Sequence, residues 1–143
     1  MPKVFRSMKR AADGSPLVGS NSRELGVRVP PNPNADVDLD QNGHVVQNGK
    51  GMSVVDNWRH LLAHLVPKRL KHLFPGAAGS NALTCYKLGT GAFTASVINA
   101  DLNLVVKPGS TQAGNIVPAQ SVHCDQFQAD LAATRSQWTV DET

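Results

Sequence analysis

The sequence predicts a single α+β domain in which short antiparallel strands pack against two helices. Nine prolines and twelve glycines among 143 residues, with only 17% charged residues, favour many turns and short elements over long helices. Short runs with strand composition alternate with turn sequences, and two longer runs carry apolar residues at the three-four spacing of a helix. A hydrophobic fraction of 41% suffices for one modest core at this length. We therefore expect one domain over residues 1–143.

The predicted strands lie on both sides of a central hairpin. Asp36 to Gln47 forms this hairpin, because acidic and apolar residues alternate up to Asp40 and Asn42-Gly43 supplies the turn. A long loop rich in Gly, Ser, Pro and Asn, residues 8–34, precedes it. The other predicted strands cover residues 3–6, 81–87, 92–98, 102–107 and 115–117. Together with the hairpin, these strands would build small antiparallel β-sheets.

A central helix is predicted from Ser53 to Pro67. Ser53 and Asp56 have the spacing of a capping box, in which a serine and an acid three residues later satisfy the free N–H groups of a helix start. A glycine-rich bend, residues 48–51, precedes the box, and a bend beside a helix start is suited to binding phosphate or another anion. Pro67 ends the helix. The apolar stripe consists of Val54, Val55, Trp58, Leu61, Leu62 and Leu65.

A second helix is predicted near the end of the chain, with Ser121 as its N-cap. Its core-facing seam follows a three-four alternation. The seam consists of Cys124, Phe127, Leu131, Thr134 and Trp138. This C-terminal helix and the central helix supply the helical part of the α+β class.

Charge and cysteine content limit the function classes. The net charge of +3 is mild but uneven, because basic residues dominate residues 1–30 and 50–75 and acidic residues dominate residues 121–143. A basic front of this kind suits an anionic ligand or an acidic partner protein. Two distant cysteines give neither a disulfide framework nor a zinc site. No apolar run approaches the ~18 residues of a membrane span, and no signal-peptide core is present, so we expect a soluble protein without a membrane partner.

Several motifs resemble those of a known family. Gly51-Met52-Ser53-Val54, followed by the His-x-x-Pro-Lys run from His64 to Lys68, resembles a family of small type VI secretion effector toxins with an ADP-ribosyltransferase-like fold. The segment from Gln126-Phe127-Gln128 to Trp138-Thr139 is similar to the closing helix and strand of that family, and Phe5-Arg6 is similar to its early aromatic-Arg pair. The resemblance covers most of the chain in order, although residues 8–33 and 74–109 match only in outline.

The resemblance implies a function as well as a fold. It implies a bacterial toxin that is secreted without a cleaved signal peptide, acts in the target-cell cytoplasm on NAD and is neutralised by a cognate immunity protein. Arg6 and Ser53 would be the catalytic residues, with Arg6 on the phosphates and ribose of NAD and Ser53 on the nicotinamide side. A guanidinium suits the phosphates because its fork meets phosphate oxygens in bidentate fashion. Gly51, Met52 and His64 would complete the cofactor-binding set, and no metal is expected.

A carboxylate is missing from the place where the resemblance implies one. ADP-ribosyltransferases generally use a Glu on a late strand to contact the ribose and stabilise the transition state. The corresponding region, residues 109–120, contains no acid, and the chain has only two glutamates, Glu24 and Glu142. The sequence therefore predicts NAD binding more directly than transfer of ADP-ribose.

Four other interpretations remain open from the residues alone. Ser53 is also explained as a helix cap, and Arg6 as a strand-end residue paired with an acid. The basic segment from Arg59 to His72 suits a nucleic-acid-binding or ribonuclease toxin, although 5% aromatic content argues against base stacking. His60 and His64 share a helix face as metal ligands do, but no third ligand is evident. A non-catalytic interaction module follows if Arg6 and Ser53 are buried and paired.

Overall fold

A computed structural model describes residues 1–143 and contains one antiparallel β-sheet and one α-helix. The strands are β1 (Val4–Lys9), β2 (Met52–Val55), β3 (Leu83–Leu88), β4 (Ser96–Val97), β5 (Leu102–Val106), β6 (Ala113–Pro118) and β7 (Thr139–Val140), and the helix is α1 (Cys124–Ala132). All seven strands join in the order β4-β5-β6-β2-β1-β3-β7. The α+β class is confirmed, but one sheet replaces the small sheets expected from the sequence. No helix has the length and apolar composition needed to cross a membrane.

β1 lies in the interior of the sheet, and its two edges are paired very differently. Along one edge it pairs with β3 over its whole length, from Val4↔Leu88 to Lys9↔Leu83. Along the other edge it pairs with β2 only at Phe5↔Val55. β1 and β2 therefore separate beyond this one position, and the gap between them is central to the site described below.

Two hydrophobic clusters cover the opposite faces of the sheet. Alternate residues of β1 enter different clusters, with Val4 and Met8 in the larger one and Phe5 in the smaller one. The larger cluster receives Phe127 and Leu131 of α1. The smaller cluster is covered by the segment that follows β2 and consists of Phe5, Trp58, Leu61, Val66, Leu70, Ala77 and Cys85.

The predicted central helix is wrong. Met52–Val55 forms β2, which pairs with β6 and places Ser53 opposite Asn115. Three short 3-10 turns follow, at Trp58–His60, Ala63–Leu65 and Lys68–Leu70. Two β-branched valines favour a strand, and β6 satisfies their backbone groups, so tertiary pairing outweighs the local helix spacing. The first turn begins at Asn57, not at Ser53, because the Asn57 side chain accepts from the N–H of Arg59.

The other predicted elements are partly confirmed. The strands predicted at residues 3–6, 81–87, 102–107 and 115–117 are present with small shifts in their bounds, whereas the one predicted at 92–98 is reduced to β4. The predicted hairpin keeps its turn, with Gly43 at φ 77°, but its arms form only an isolated bridge at Leu39↔Val45. The closing helix is present, but its N-cap is His123 and not Ser121, because His123 accepts from the N–H of Asp125.

Candidate functional site

A cleft of about 480 Å³ lies where β1 and β2 separate. Its floor includes Arg6 and Ser7 of β1, residues 53–55 of β2 and residues 113–115 of β6. One wall is the segment 60–65, which Ser7 fixes to β1 by donating from Oγ to the backbone oxygen of Leu65 at 2.7 Å. Residues of the long amino-terminal loop, Arg23 among them, contribute to the opposite wall. The volume lies within the ~300–1,000 Å³ typical of small-molecule sites.

Arg6 connects the two separated strands through its guanidinium group. Nη1 donates to the backbone oxygen of Ser53 at 2.8 Å, and Nη2 donates to the backbone oxygens of Ser22 and Glu24, each at 3.1 Å. Nε also donates to the oxygen of Glu24, at 3.3 Å. All four bonds go to backbone carbonyls and none to a carboxylate. Arg6 is thus buried and bonded, but not as the acid-paired strand-end residue that the sequence allowed; it lies in the middle of β1 and is 7% exposed.

The charge of Arg6 is not neutralised locally. Burial lowers the pKa of Arg6 to about 10, an effect that Asp36 opposes and Arg28 reinforces. Asp36 is already engaged by Arg28, whose Nη2 lies 2.9 Å from Asp36 Oδ1. Because a pKa near 10 still leaves the guanidinium protonated at neutral pH, the cleft floor carries a buried positive charge without its own counter-ion.

The other charged side chains that line the cleft are also basic. Arg23, Arg28 and Lys107 add three cationic side chains to that of Arg6, and His60 and His64 add two imidazoles. No aspartate, glutamate, phenylalanine, tyrosine or tryptophan lines the cleft. The structure contains seven salt bridges, and neither Arg23 nor Lys107 takes part in any of them. This combination favours an anionic ligand over a cationic or purely apolar one.

Three of the sequence-predicted site residues converge on this cleft. Arg6, Ser53 and His64 all line it, although they come from β1, β2 and a 3-10 turn. The Ser53 side chain is exposed, and its hydroxyl makes no hydrogen bond within the protein. Because Ser53 lies inside a strand, the helix-cap explanation for it is wrong. Its hydroxyl is free to meet a ligand.

Gly51 and Met52 lie outside the cleft. Met52 is 1% exposed and belongs to the larger hydrophobic cluster. Gly51 packs against the backbone of β6, so that a Cβ placed on it would collide with the carbonyl oxygen of Ile116. Both residues therefore help to pack β2, Met52 against the hydrophobic core and Gly51 against the backbone of β6. The anion-binding helix start predicted beside the bend is absent.

Neither glutamate of the chain lines the cleft. The Glu24 carboxylate accepts from the side-chain amide of Asn21 at 3.2 Å, and only the backbone oxygen of Glu24 contacts Arg6. Glu142 binds elsewhere, with Oε2 accepting from Arg69 Nη2 at 2.5 Å and from the N–H of Cys85 at 3.1 Å. A carboxylate in the role of the late-strand Glu is therefore absent from the cleft itself.

Sequence reasoning missed one pair of residues at the cleft rim. His60 Nδ1 lies 2.6 Å from Asp56 Oδ1. The spacing of four residues was visible in the sequence, but Asp56 was assigned to a capping box and His60 to a possible metal site. Because a 3-10 turn follows β2 at this point, the two side chains meet each other instead.

Metal-ligand side chains cluster at a different place. His123, Cys124 and Asp125 lie with their ligand atoms within 4.8 Å of one another at the start of α1. His123 Nδ1 is occupied there, because it accepts the N–H of Asp125 as the helix cap at 3.1 Å. His60 and His64, in contrast, belong to two different 3-10 turns and do not share a helix face.

No family model, curated protein sequence or solved structure matches the chain. The resemblance to the type VI secretion effector toxins therefore remains a prediction based on the residues Phe5-Arg6, Gly51 to Val54, His64 to Lys68 and the C-terminal segment.

Proposed function

We propose that this protein binds NAD in the cleft between β1 and β2. The observation that carries the proposal is the buried guanidinium of Arg6, which bonds only to backbone carbonyls and lies in a cleft whose lining includes further cationic side chains and no carboxylate. The pyrophosphate of a dinucleotide is a dianion of the kind that such a cleft attracts. Arg6 makes a single hydrogen bond from Nη1, which leaves one N–H of that nitrogen for a phosphate oxygen.

The residues present fit such a ligand in charge and size. Arg23 and Lys107 make no salt bridge, so both are available to phosphate oxygens without breaking a contact. Ser53 supplies a free hydroxyl on the cleft floor, and Asn115 lies opposite it on β6. The sugars and the nicotinamide amide require such neutral polar groups. The absence of phenylalanine, tyrosine and tryptophan from the lining argues against nucleic acid, whose unpaired bases commonly stack on such rings.

The proposal includes an ADP-ribosyltransferase-like fold. Two features support it: an Arg on the first strand and a Ser on the adjacent strand face one cleft, and those strands separate at the cleft. The sequence resemblance implies the Arg on the first strand and the functional Ser, whereas the position of Ser53 in the adjacent strand comes from the structure. A seven-stranded antiparallel sheet alone would be compatible with other folds of the same class.

The same resemblance extends the proposal to biology. We propose a type VI secretion effector toxin that acts in the cytoplasm of a target cell and is neutralised by a cognate immunity protein. The support for this part is the order of the sequence motifs. Because the rim of the cleft is basic, an acidic surface on the immunity protein would be complementary to it.

Thermal unfolding with NAD tests the binding site. A ligand that binds only the folded protein raises its melting temperature, so millimolar NAD is expected to raise that of the wild type. Lys107→Gln removes a cleft cation, and Lys9→Gln removes an exposed cation of β1 outside the cleft, so their net charges match. The NAD-induced shift is expected to fall in Lys107→Gln and to persist in Lys9→Gln. An unchanged melting temperature of the wild type at millimolar NAD overturns the proposal, and salt-reversible retention on heparin would then favour nucleic acid.

Production inside bacteria tests the toxin assignment separately. Growth is expected to stop when the wild-type protein accumulates in the cytoplasm, and to recover when Lys107→Gln accumulates to the same level. Western blots of soluble protein control for expression. Normal growth with abundant folded wild-type protein contradicts the toxin assignment, while leaving NAD binding to be judged from the melting temperatures.

A further inference from the structure

His60 and Asp56 form a hydrogen-bonded pair whose geometry is that of a general base and its orienting carboxylate. His60 Nδ1 lies 2.6 Å from Asp56 Oδ1, and the two side chains are 39% and 25% exposed. An ionised carboxylate only accepts hydrogen bonds, so the proton of a neutral His60 lies on Nδ1. Nε2 makes no hydrogen bond within the protein and keeps a free lone pair.

The position of His60 distinguishes it from the other histidines. His60 lines the basic cleft, and it also lines a neighbouring pocket of about 430 Å³. No other residue belongs to both. Asp56 lies in the neighbouring pocket with Lys3 and Phe93, and it supplies the carboxylate that the basic cleft lacks. An imidazole at this junction can touch a ligand in one space and a second reactant in the other.

The backbone around His60 is held firmly. Its N–H donates to the backbone oxygen of Asn57 at 2.9 Å. The neighbouring Trp58 is buried at 1% exposure, and its Nε1 donates to the backbone oxygen of Thr143 at 3.2 Å. Arg59 stacks on the Trp58 ring at 4.5 Å and donates to the same oxygen at 2.9 Å. The imidazole is thus carried by an anchored turn, which is what a positioned proton acceptor requires.

We propose that His60 is the general base for transfer of ADP-ribose from NAD to a hydroxyl group that enters through the neighbouring pocket. This inference rests on the proposed NAD site. Water is the simplest hydroxyl acceptor, and a hydroxyl of a target molecule is the other. Asp56 acts as the positioning residue, because it fixes the tautomer and the ring orientation of His60.

The proposed step balances without an oxidant or reductant. The acceptor oxygen forms a bond to the anomeric carbon of the nicotinamide ribose, and the bond from that carbon to the nicotinamide nitrogen breaks. The bonding electron pair leaves with nicotinamide, which becomes neutral. The acceptor proton moves to Nε2 of His60 and from there to solvent. A histidine and an aspartate would in this way supply the base function for which no glutamate is available.

Separate measurements of binding and turnover test this role. With the full chain, NAD binding is measured from the melting temperature, and turnover from the release of nicotinamide with water as acceptor. His60→Gln is expected to keep the NAD-induced shift and to lose about 100-fold in the rate of release. Asp56→Asn is expected to lower kcat by about tenfold with little change in KM, and Asp56→Glu to restore part of it. His72→Gln, an exposed histidine outside both spaces, is the matched control and is expected to match the wild type.

Every outcome bears on the proposal. Wild-type release by His60→Gln overturns it, and so does loss of the NAD-induced shift in that variant, because His60 would then be a binding contact. A wild type that binds NAD but releases no nicotinamide and does not inhibit bacterial growth also overturns it, while the proposed NAD site stands. A wild type without any NAD-induced shift shows instead that the proposed function has failed.

Discussion

Nη1 of Arg6 lies 2.8 Å from the backbone oxygen of Ser53, and this contact crosses the gap where β1 and β2 no longer pair. A side chain here takes the place of backbone hydrogen bonds between neighbouring strands. The same group that joins the strands also carries the positive charge of the cleft floor. A structural role and the proposed binding role are therefore combined in Arg6, and the first prediction follows from this combination.

Arg6→Met is expected to destabilise the fold as well as to abolish NAD binding. Methionine fills part of the volume, but it leaves the carbonyls of Ser22, Glu24 and Ser53 without their donor, at a cost of about 3 kcal/mol. Arg6→Lys keeps the charge and is expected to lose less stability, because one ammonium can still donate to some of these oxygens. Urea unfolding measures both variants. A wild-type unfolding midpoint for Arg6→Met would contradict the assigned hydrogen bonds.

Ser53→Ala is expected to leave stability within about 0.5 kcal/mol of the wild type, because the hydroxyl has no partner within the protein. Ser53→Asp is expected to fold and to bind NAD more weakly, because the new carboxylate competes with phosphate for Arg6. Melting temperatures with and without NAD separate the two effects. If Ser53→Asp binds NAD like the wild type, Ser53 does not face the ligand.

Gly51→Ala is expected to destabilise the protein by about 2 kcal/mol, because its Cβ would collide with the carbonyl oxygen of Ile116 and force β2 away from β6. Gly76→Ala is the matched control, because its nearest neighbour would be the Phe74 ring edge at an ordinary 3.4 Å. Thermal unfolding of the two variants measures the difference. Equal stability of both would show that β2 does not approach β6 as closely as described.

The two cysteines are expected to react slowly with iodoacetamide at pH 8. Burial raises the pKa of Cys85 to about 12, with a further contribution from Glu142. Partial burial, and then the charge of Asp125, raises the pKa of Cys124. Because the thiolate is the reactive form, a raised pKa lowers reactivity at this pH, and alkylation is expected to accelerate as the pH rises. Mass spectrometry checks this, with urea-unfolded protein as the fast-reacting control. Rapid modification of native Cys85 would contradict its burial.

The sequence predicted the strands well where their patterns were local. Residues 83–88 and 102–106 have strand composition on their own, and both segments are strands. Arg6, Ser53 and His64, which the resemblance assigns to one site, all line one cleft of the structure. Their separation in the sequence gave no geometric reason to expect them in one cleft.

The central helix could not be rejected from the sequence, for a physical reason. The three-four spacing of its apolar residues is also compatible with a strand that is followed by 3-10 turns. Val54 enters the larger cluster, whereas Trp58 and Leu61 enter the smaller cluster on the other face of the sheet. A single helical stripe would have placed them together. The pairing of β2 with β6 decides between the two structures. Residues 56–112 separate these two strands in the sequence, so the local pattern does not show this pairing.

Arg6 could not be assigned as a buried residue for a related reason. The groups that accept from Arg6 are the backbone oxygens of residues 22, 24 and 53. Every residue has a backbone oxygen, so the residue types do not show which of these oxygens will accept from Arg6. A charged residue in a strand indicates an exposed position unless the fold supplies such acceptors. The pair of His60 and Asp56 is missed for a local reason, because Asp56 also fits the capping box of a central helix that the structure does not contain.

The strand order has a consequence for synthesis of the protein on the ribosome. β1 emerges first, but its neighbours β2 and β3 follow only after residues 10–51 and 10–82 have been translated. Pairings between such distant segments form late, because long stretches of chain must be ordered first. The cleft needs β6 as well, so a nascent chain shorter than about residue 118 has no complete cleft. The complete cleft therefore forms only after β6 has left the ribosome.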